Sequence, residues 1–165
     1  MKNLKYIAIS VALSSVILSS CVKEKNFPST PSIEFFYYSA YSKDSADCVI
    51  KFKDGDGDIG ILPEDSTSPN DFRLKYLYKD LIDGTFKPFD EFPGTPAMDT
   101  LIYSYRVPNL TPDGQYKALD GEIKAKLRGL IYFPTHKIVK FEIKLRDRAG
   151  HWSNTVTTNE ITVTP

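Results

Sequence analysis

This sequence has few of the residues from which catalytic and metal centres are usually built. Two cysteines, Cys21 and Cys48, two histidines, His136 and His151, and a single tryptophan serve 165 residues. An excess of charge is also lacking. Lysine plus arginine and aspartate plus glutamate number 21 each, so there is no strongly basic face for a nucleic-acid partner. After the first twenty residues no stretch is apolar and long enough to cross a bilayer, and the remainder reads as a soluble domain. Two stretches rich in glycine or proline, 92–96 and 108–121, read as loops. Neither is followed by a helix start, which excludes a phosphate-cradling loop. Nothing persuasive recurs at helical period.

What is present begins at the N-terminus. Lys2 and Lys5 precede a mostly apolar run over 6–18, which suits the hydrophobic region of an export signal and is short of the ~20 residues of a membrane span. Residues 1–20 are therefore expected to be a signal peptide. Leu18-Ser19-Ser20-Cys21 resembles the lipobox of bacterial lipoproteins. That resemblance implies a diacylglyceryl group on the Cys21 thiol, which becomes the new N-terminus. A single acyl chain binds only marginally and stable attachment needs two or more, so the expected partner is a lipid bilayer gripped through the acyl chains of Cys21. Removing residues 1–20 takes away two lysines and leaves 19 basic against 21 acidic side chains. Cys48 is then the one free cysteine. No internal disulfide can form, the thiol is expected to be buried and inert, and zinc lacks a His/Cys ligand set.

Residues 21–32 carry two prolines and little apolar content and read as a tether; the folded domain is expected over 33–165. Within it, short runs alternate apolar and polar residues at period 2, separated by turn signals: 33–39, 48–52, 72–79, 85–89, 101–107, 121–127, 138–146 and 155–163. The clearest is 138–146, where Val139, Phe141, Ile143 and Leu145 face one way and Lys140, Glu142, Lys144 and Arg146 the other. Asp83-Gly84 signals a hairpin between the third and fourth runs. Such a pattern predicts an all-β fold: an antiparallel two-sheet sandwich of immunoglobulin-like or fibronectin-III-like type, with a small barrel as the alternative.

Asp54-Gly55-Asp56-Gly57-Asp58-Ile59-Gly60 is the most unusual segment. Carboxylates at alternate positions, with glycines between, let a tight loop converge hard oxygens on one centre, which suits Ca²⁺ and its six to eight oxygen ligands. With Asp54 in first place, Asp56 and Asp58 occupy the third and fifth and Asp65 the twelfth. The loop is similar to the calcium loops of EF-hand and dockerin-like proteins, but departs from them in Ile59 at the sixth position, Asp rather than Glu at the twelfth, and strands for flanks. The competing reading is a set of solvated Asp-Gly turns. Asp147, His151 and Ser153 lie within seven residues of one turn and do not make a hydrolytic triad, whose members converge from separated elements. Trp152 beside them could cap the core. The many aromatics are expected mainly inside, but the consecutive set Phe35, Phe36, Tyr37 and Tyr38 must show either Phe36 and Tyr38 or Phe35 and Tyr37 to solvent.

Taken together, the lipobox, Phe52-Lys53-Asp54-Gly55-Asp56-Gly57-Asp58-Ile59-Gly60, Leu119-Asp120-Gly121-Glu122-Ile123 and Asp147-Arg148-Ala149-Gly150 with Ser153-Asn154 resemble a group of uncharacterised lipoproteins of Bacteroidota. His151 stands where that group usually has asparagine. The resemblance implies an immunoglobulin-like envelope lipoprotein and brings no catalytic residues. Val22 follows the cysteine in place of the aspartate of inner-membrane retention, so the outer membrane is the expected address. Val22-Lys23-Glu24-Lys25 is partly similar to surface-export signals, and the membrane face stays open. The expected function is that of a non-enzymatic binding or accessory module for a protein or glycan partner. The alternative is a glycan-binding module using exposed aromatics.

Overall fold

The computed structural model describes residues 26–89, 100–131 and 133–163. The expected export signal, Cys21 and the loop expected over 92–96 lie outside them. Two antiparallel sheets pack face to face without closing into a barrel. The first sheet holds β1 (Ser32–Ser42), β2 (Ser45–Asp54) and β6 (Leu119–Arg128) in the order β1-β2-β6. The second is built on β3 (Phe72–Lys79) and β7 (Ile138–Leu145). β4 (Phe86–Pro88) and β5 (Ile102–Tyr105) share the outer edge of β3, and β8 (Val156–Thr157) and β9 (Ile161–Thr162) share that of β7. The three-stranded and six-stranded sheets together form an antiparallel β-sandwich.

Alternation explains the core. From the first sheet Ala46, Cys48, Ile50 and Phe52 of β2 and Ile123, Ala125 and Leu127 of β6 point inward; the second sheet answers with Phe72, Leu74 and Tyr76 and with Val139, Phe141, Ile143 and Leu145. The Cys48 thiol is fully buried there, and desolvation pushes its pKa up to about 12, which leaves it protonated and inert. Tyr76 donates to or accepts from Nδ1 of buried His136 at 3.1 Å, and Tyr78 stacks on that imidazole.

Three local features depart from simple alternation. The register of β1 against β2 shifts between Phe35 and Tyr37, a bulge that adds one residue to the strand. Phe35 and Tyr38 consequently both pack on the core while Phe36 and Tyr37 are exposed, so neither pair expected from strict period 2 is the exposed one. The run expected over 155–163 is broken into β8 and β9. At the break the buried Thr158 takes over the ladder: its amide donates to Phe141 O and its hydroxyl accepts from Phe141 N. Ser153 does the same one step earlier, donating its amide to Leu145 O and accepting from Leu145 N at 3.0 Å. Trp152 is no core cap. It lies half-buried outside the core cluster, with Arg73 stacked over its ring at 4.6 Å and Arg146 at 5.8 Å, an arrangement in which guanidinium planes cover the aromatic face.

The chain entering β1 and the chain leaving the turn before β8 are clasped together. Asn154 accepts from Ile33 N at 2.8 Å and donates to Ile33 O at 2.9 Å. This joins the second sheet to the open edge of the first. Replacing the buried Ser153 hydroxyl removes the partner of an interior amide, which costs about 1–3 kcal/mol. Ser153→Ala is therefore expected to lower the urea midpoint with an unchanged denaturant slope, and a midpoint equal to wild type would show that the hydroxyl does not substitute for a ladder carbonyl.

Candidate metal centre

The inward alternation of β2 does not stop at Phe52. It continues one step to Asp54, the last residue of the strand, whose side chain is fully buried at 0 % exposure. A charged side chain in that position needs partners, and the following loop supplies only part of them. Asp54 Oδ2 accepts from Asp58 N at 3.0 Å, while Asp54 Oδ1 is buried with no partner. Asp58 repeats the pattern: Oδ2 accepts from Ala149 N at 2.9 Å, and Oδ1 is buried and unpartnered. Asp56 is exposed, yet each of the three aspartates offers a carboxylate oxygen, and these three oxygens all lie within 4.8 Å of one another.

The glycines make this convergence sterically feasible. A Cβ on Gly57, which has φ 69°, would stand 2.1 Å from Lys117 O, and one on Gly60, with φ 88°, would stand 2.0 Å from Pro108 O. Only glycine tolerates both the left-handed backbone and such approach. On both sides of Gly60 the loop is tied down by its neighbours. Ile59 O accepts from Leu110 N, Ile61 N donates to Val107 O, and Arg148 N donates to Asp58 O. The Arg148 guanidinium reaches across to Gly60 O at 2.8 Å and to Asn109 Oδ1 at 2.7 Å.

Asp65 is not a member of the cluster. Its carboxylate accepts from Thr67 N, Thr67 Oγ1, Ser68 N and Ser68 Oγ, which holds its pKa well below the usual carboxylate range. The physical reason lies at Ile59 and Ile61. Both are buried, Ile59 bridges to Asp147 and Ile61 to Pro108, and these pairings carry the chain away from the Asp54 end before position twelve is reached. The twelve-residue EF-hand geometry is thus absent, and the three alternate aspartates stand as a more compact set. Asp147, buried, is an electrostatic neighbour of Asp58, but its own oxygens serve His151 N at 2.7 Å and His151 Nδ1 at 2.9 Å.

Burial first, and then repulsion from Asp56 and Asp58, raises the pKa of Asp54 to about 6. Desolvation also raises Asp58, with Asp147 and Asp56 adding to it. Asp54 and Asp58 can relieve their desolvation, and all three carboxylates their mutual repulsion, by closing on one hard cation, to which the two orphaned oxygens would be ligands. Sequence reasoning missed a further buried carboxylate, Asp71. Its Oδ1 accepts from Val107 N at 2.8 Å and its Oδ2 has no partner. It lines a small cavity of about 110 Å³ together with Arg146 and Asp147. Its place just before β3, out of step with Phe72 and Leu74, gave no periodic signal.

Compared with known protein families, curated proteins and solved structures, the chain finds no match. The case for this site therefore rests on its geometry.

A carboxyl whose pKa is raised by folding stabilises the protein at low pH and loses that contribution as pH rises through the folded value. In metal-free protein, stability from Asp54 is expected to be present below about pH 4 and to fade up to and past pH 6. His136, whose pKa burial lowers, acts in the opposite sense over part of this window. The comparison with Asp54→Asn isolates the aspartate. Chelated wild type should lose melting temperature relative to Asp54→Asn between pH 5 and pH 7.5, and parallel pH profiles would contradict the assignment.

Proposed function

We propose that this protein is a non-enzymatic binding or accessory module of the bacterial envelope, anchored through acyl chains on Cys21, in which Asp54, Asp56 and Asp58 hold a calcium ion that stiffens the loop. The observation that carries the calcium reading is the pair of buried, unpartnered oxygens, Asp54 Oδ1 and Asp58 Oδ1, in one three-carboxylate cluster. Solvated Asp-Gly turns have no reason to bury a carboxylate oxygen without a donor. Calcium is favoured over a softer metal because all three side chains offer hard oxygen. Backbone carbonyls and water would complete the six to eight ligands it takes.

The anchoring rests on the order of basic residues, apolar run and Leu18-Ser19-Ser20-Cys21 in the sequence. Among the described residues no helix is long and apolar enough to cross a membrane. The likeness to envelope lipoproteins of Bacteroidota and the Val22 position support an outer-membrane address. Glycan binding draws less support. The exposed rings of Phe36 and Tyr37 meet edge to face at 63°, and Lys51 Nζ sits 4.1 Å over Phe36. They do not offer a flat stacking surface for a sugar.

Calorimetry on wild type is expected to detect Ca²⁺ binding that Asp58→Asn abolishes. At a free Ca²⁺ one hundred times its Kd, linkage stabilises the fold by about 2.7 kcal/mol. For a domain of this size that corresponds to a rise in melting temperature of roughly 5–10 °C. Absence of both heat and thermal shift in wild type would reduce the segment to a set of turns. The anchor is checked separately by mass spectrometry of the protein purified from membranes, which should show a diacylglyceryl group on an N-terminal Cys21. An unmodified cysteine would mean a freely secreted protein.

A further inference from the structure

The loop that gathers the aspartates also receives the chain arriving from the lipid. Residues 21–32 read in the sequence as a free tether, yet Phe27 and Pro28 lie directly on Gly55, the residue between Asp54 and Asp56. Gly55 N donates to Pro28 O at 2.9 Å. A Cβ on Gly55 would stand 2.1 Å from Phe27 O and 2.7 Å from Pro28 O. Lys53 Nζ lies 5.7 Å from the centre of the Phe27 ring, and Pro31 is buried. The peptide that holds the tether is therefore the same peptide that sets the spacing of two carboxylates in the cluster.

We infer that calcium at Asp54, Asp56 and Asp58 governs whether the tether stays docked on Gly55, and with it the distance and posture of the domain at its membrane. This rests on the calcium reading above. With the cation bound, the carboxylates on both sides of Gly55 are drawn to one centre, and its amide is held in the direction that meets Pro28 O. Without it, the charges of Asp54, Asp56 and Asp58 repel across less than 5 Å, well inside the ~10 Å screening length at 0.1 M salt. The Asp54 to Asp56 segment is then free to open and the amide to turn away.

The consequence for reach is geometric. Phe27 follows Cys21 by six residues, and an extended chain spans at most about 3.3–3.6 Å per residue, so the docked loop stays within about 20 Å of the lipidated cysteine. Undocking back to Ile33 doubles the free chain, to a reach of about 40 Å. The aspartate loop therefore marks the membrane-proximal pole of the sandwich.

Gly55 carries no positive φ, and the three atoms nearest an alanine Cβ there all belong to Phe27 and Pro28 of the tether. Hydrogen exchange is followed on the full lipidated chain in phosphatidylethanolamine–phosphatidylglycerol vesicles, with Ca²⁺ and with chelator. Ca²⁺ is expected to slow exchange of the Gly55 amide and of residues 27–33 by tenfold or more in wild type. Gly55→Ala should still release heat with Ca²⁺ by calorimetry, lose the Ca²⁺-dependent protection of residues 27–33 and, because coupling is reciprocal, bind Ca²⁺ more weakly by a factor similar to the protection lost. Phe27→Ala leaves the loop backbone untouched, serves if Gly55→Ala misfolds, and should weaken the same protection. Calcium heat with unchanged exchange over 27–33 overturns the coupling while leaving the calcium site intact. Absence of calcium heat overturns the site and the coupling together.

Discussion

The organising constraint in this molecule is that a strand cannot choose where its inward face ends. β2 sends Cys48, Ile50 and Phe52 into the core, and the same pleat delivers the next inward side chain, Asp54, to the rim of the sandwich without water. Everything around that carboxylate reads as a response to it. Asp58 turns back to offer its amide, the 147–149 turn offers Ala149 N to Asp58, and Arg148 places a positive charge close by. The response is incomplete, because one oxygen on each of Asp54 and Asp58 still has no donor. A buried charge left half-satisfied is costly, and a hard cation is one group that would satisfy both oxygens.

The sandwich itself was legible in the sequence because antiparallel sheets with one dry face write their pattern directly at period 2. β3, β6 and β7 begin and end within two residues of the runs read for them. Legibility failed where side chains or bulges took over from the backbone. No periodic signal distinguishes Thr158 as a ladder substitute that splits the last strand, nor announces that β1 adds a residue at Phe36. Trp152 was misplaced for a related reason. Composition suggests a buried indole, but the neighbouring strands present Arg73 and Arg146 on the outer face, and these cover its ring.

The candidate site was half legible. Alternate aspartates with intervening glycines announced converging oxygens, and Asp54, Asp56 and Asp58 do converge. Asp65 did not join them, since counting twelve positions presumes a loop free to follow the EF-hand path. Here Ile59 and Ile61 are buried and pair with the 108–111 and 147 segments instead. Glycine roles were also underdetermined. Sequence reads Gly55, Gly57 and Gly60 as turn-makers, whereas each is also a place where a foreign carbonyl rests against the backbone. Long-range approach of that kind has no local signature, and so the docking of Phe27 and Pro28 could not be anticipated.

The bulges of β1 have a bearing on how copies of the chain behave toward each other. β1 is an outer strand of the three-stranded sheet, eleven residues long and rich in aromatics, and a flat ribbon of that kind is a template for strand addition by a neighbour. Two register shifts, at Phe35/Tyr37 and Ala40/Ser42, interrupt its row of amides and carbonyls, and Asn154 occupies the polar groups of Ile33 at its start. What remains available for pairing is three short fragments out of phase with one another. A broken edge of this sort gives a neighbouring copy no long straight ribbon on which to add a strand.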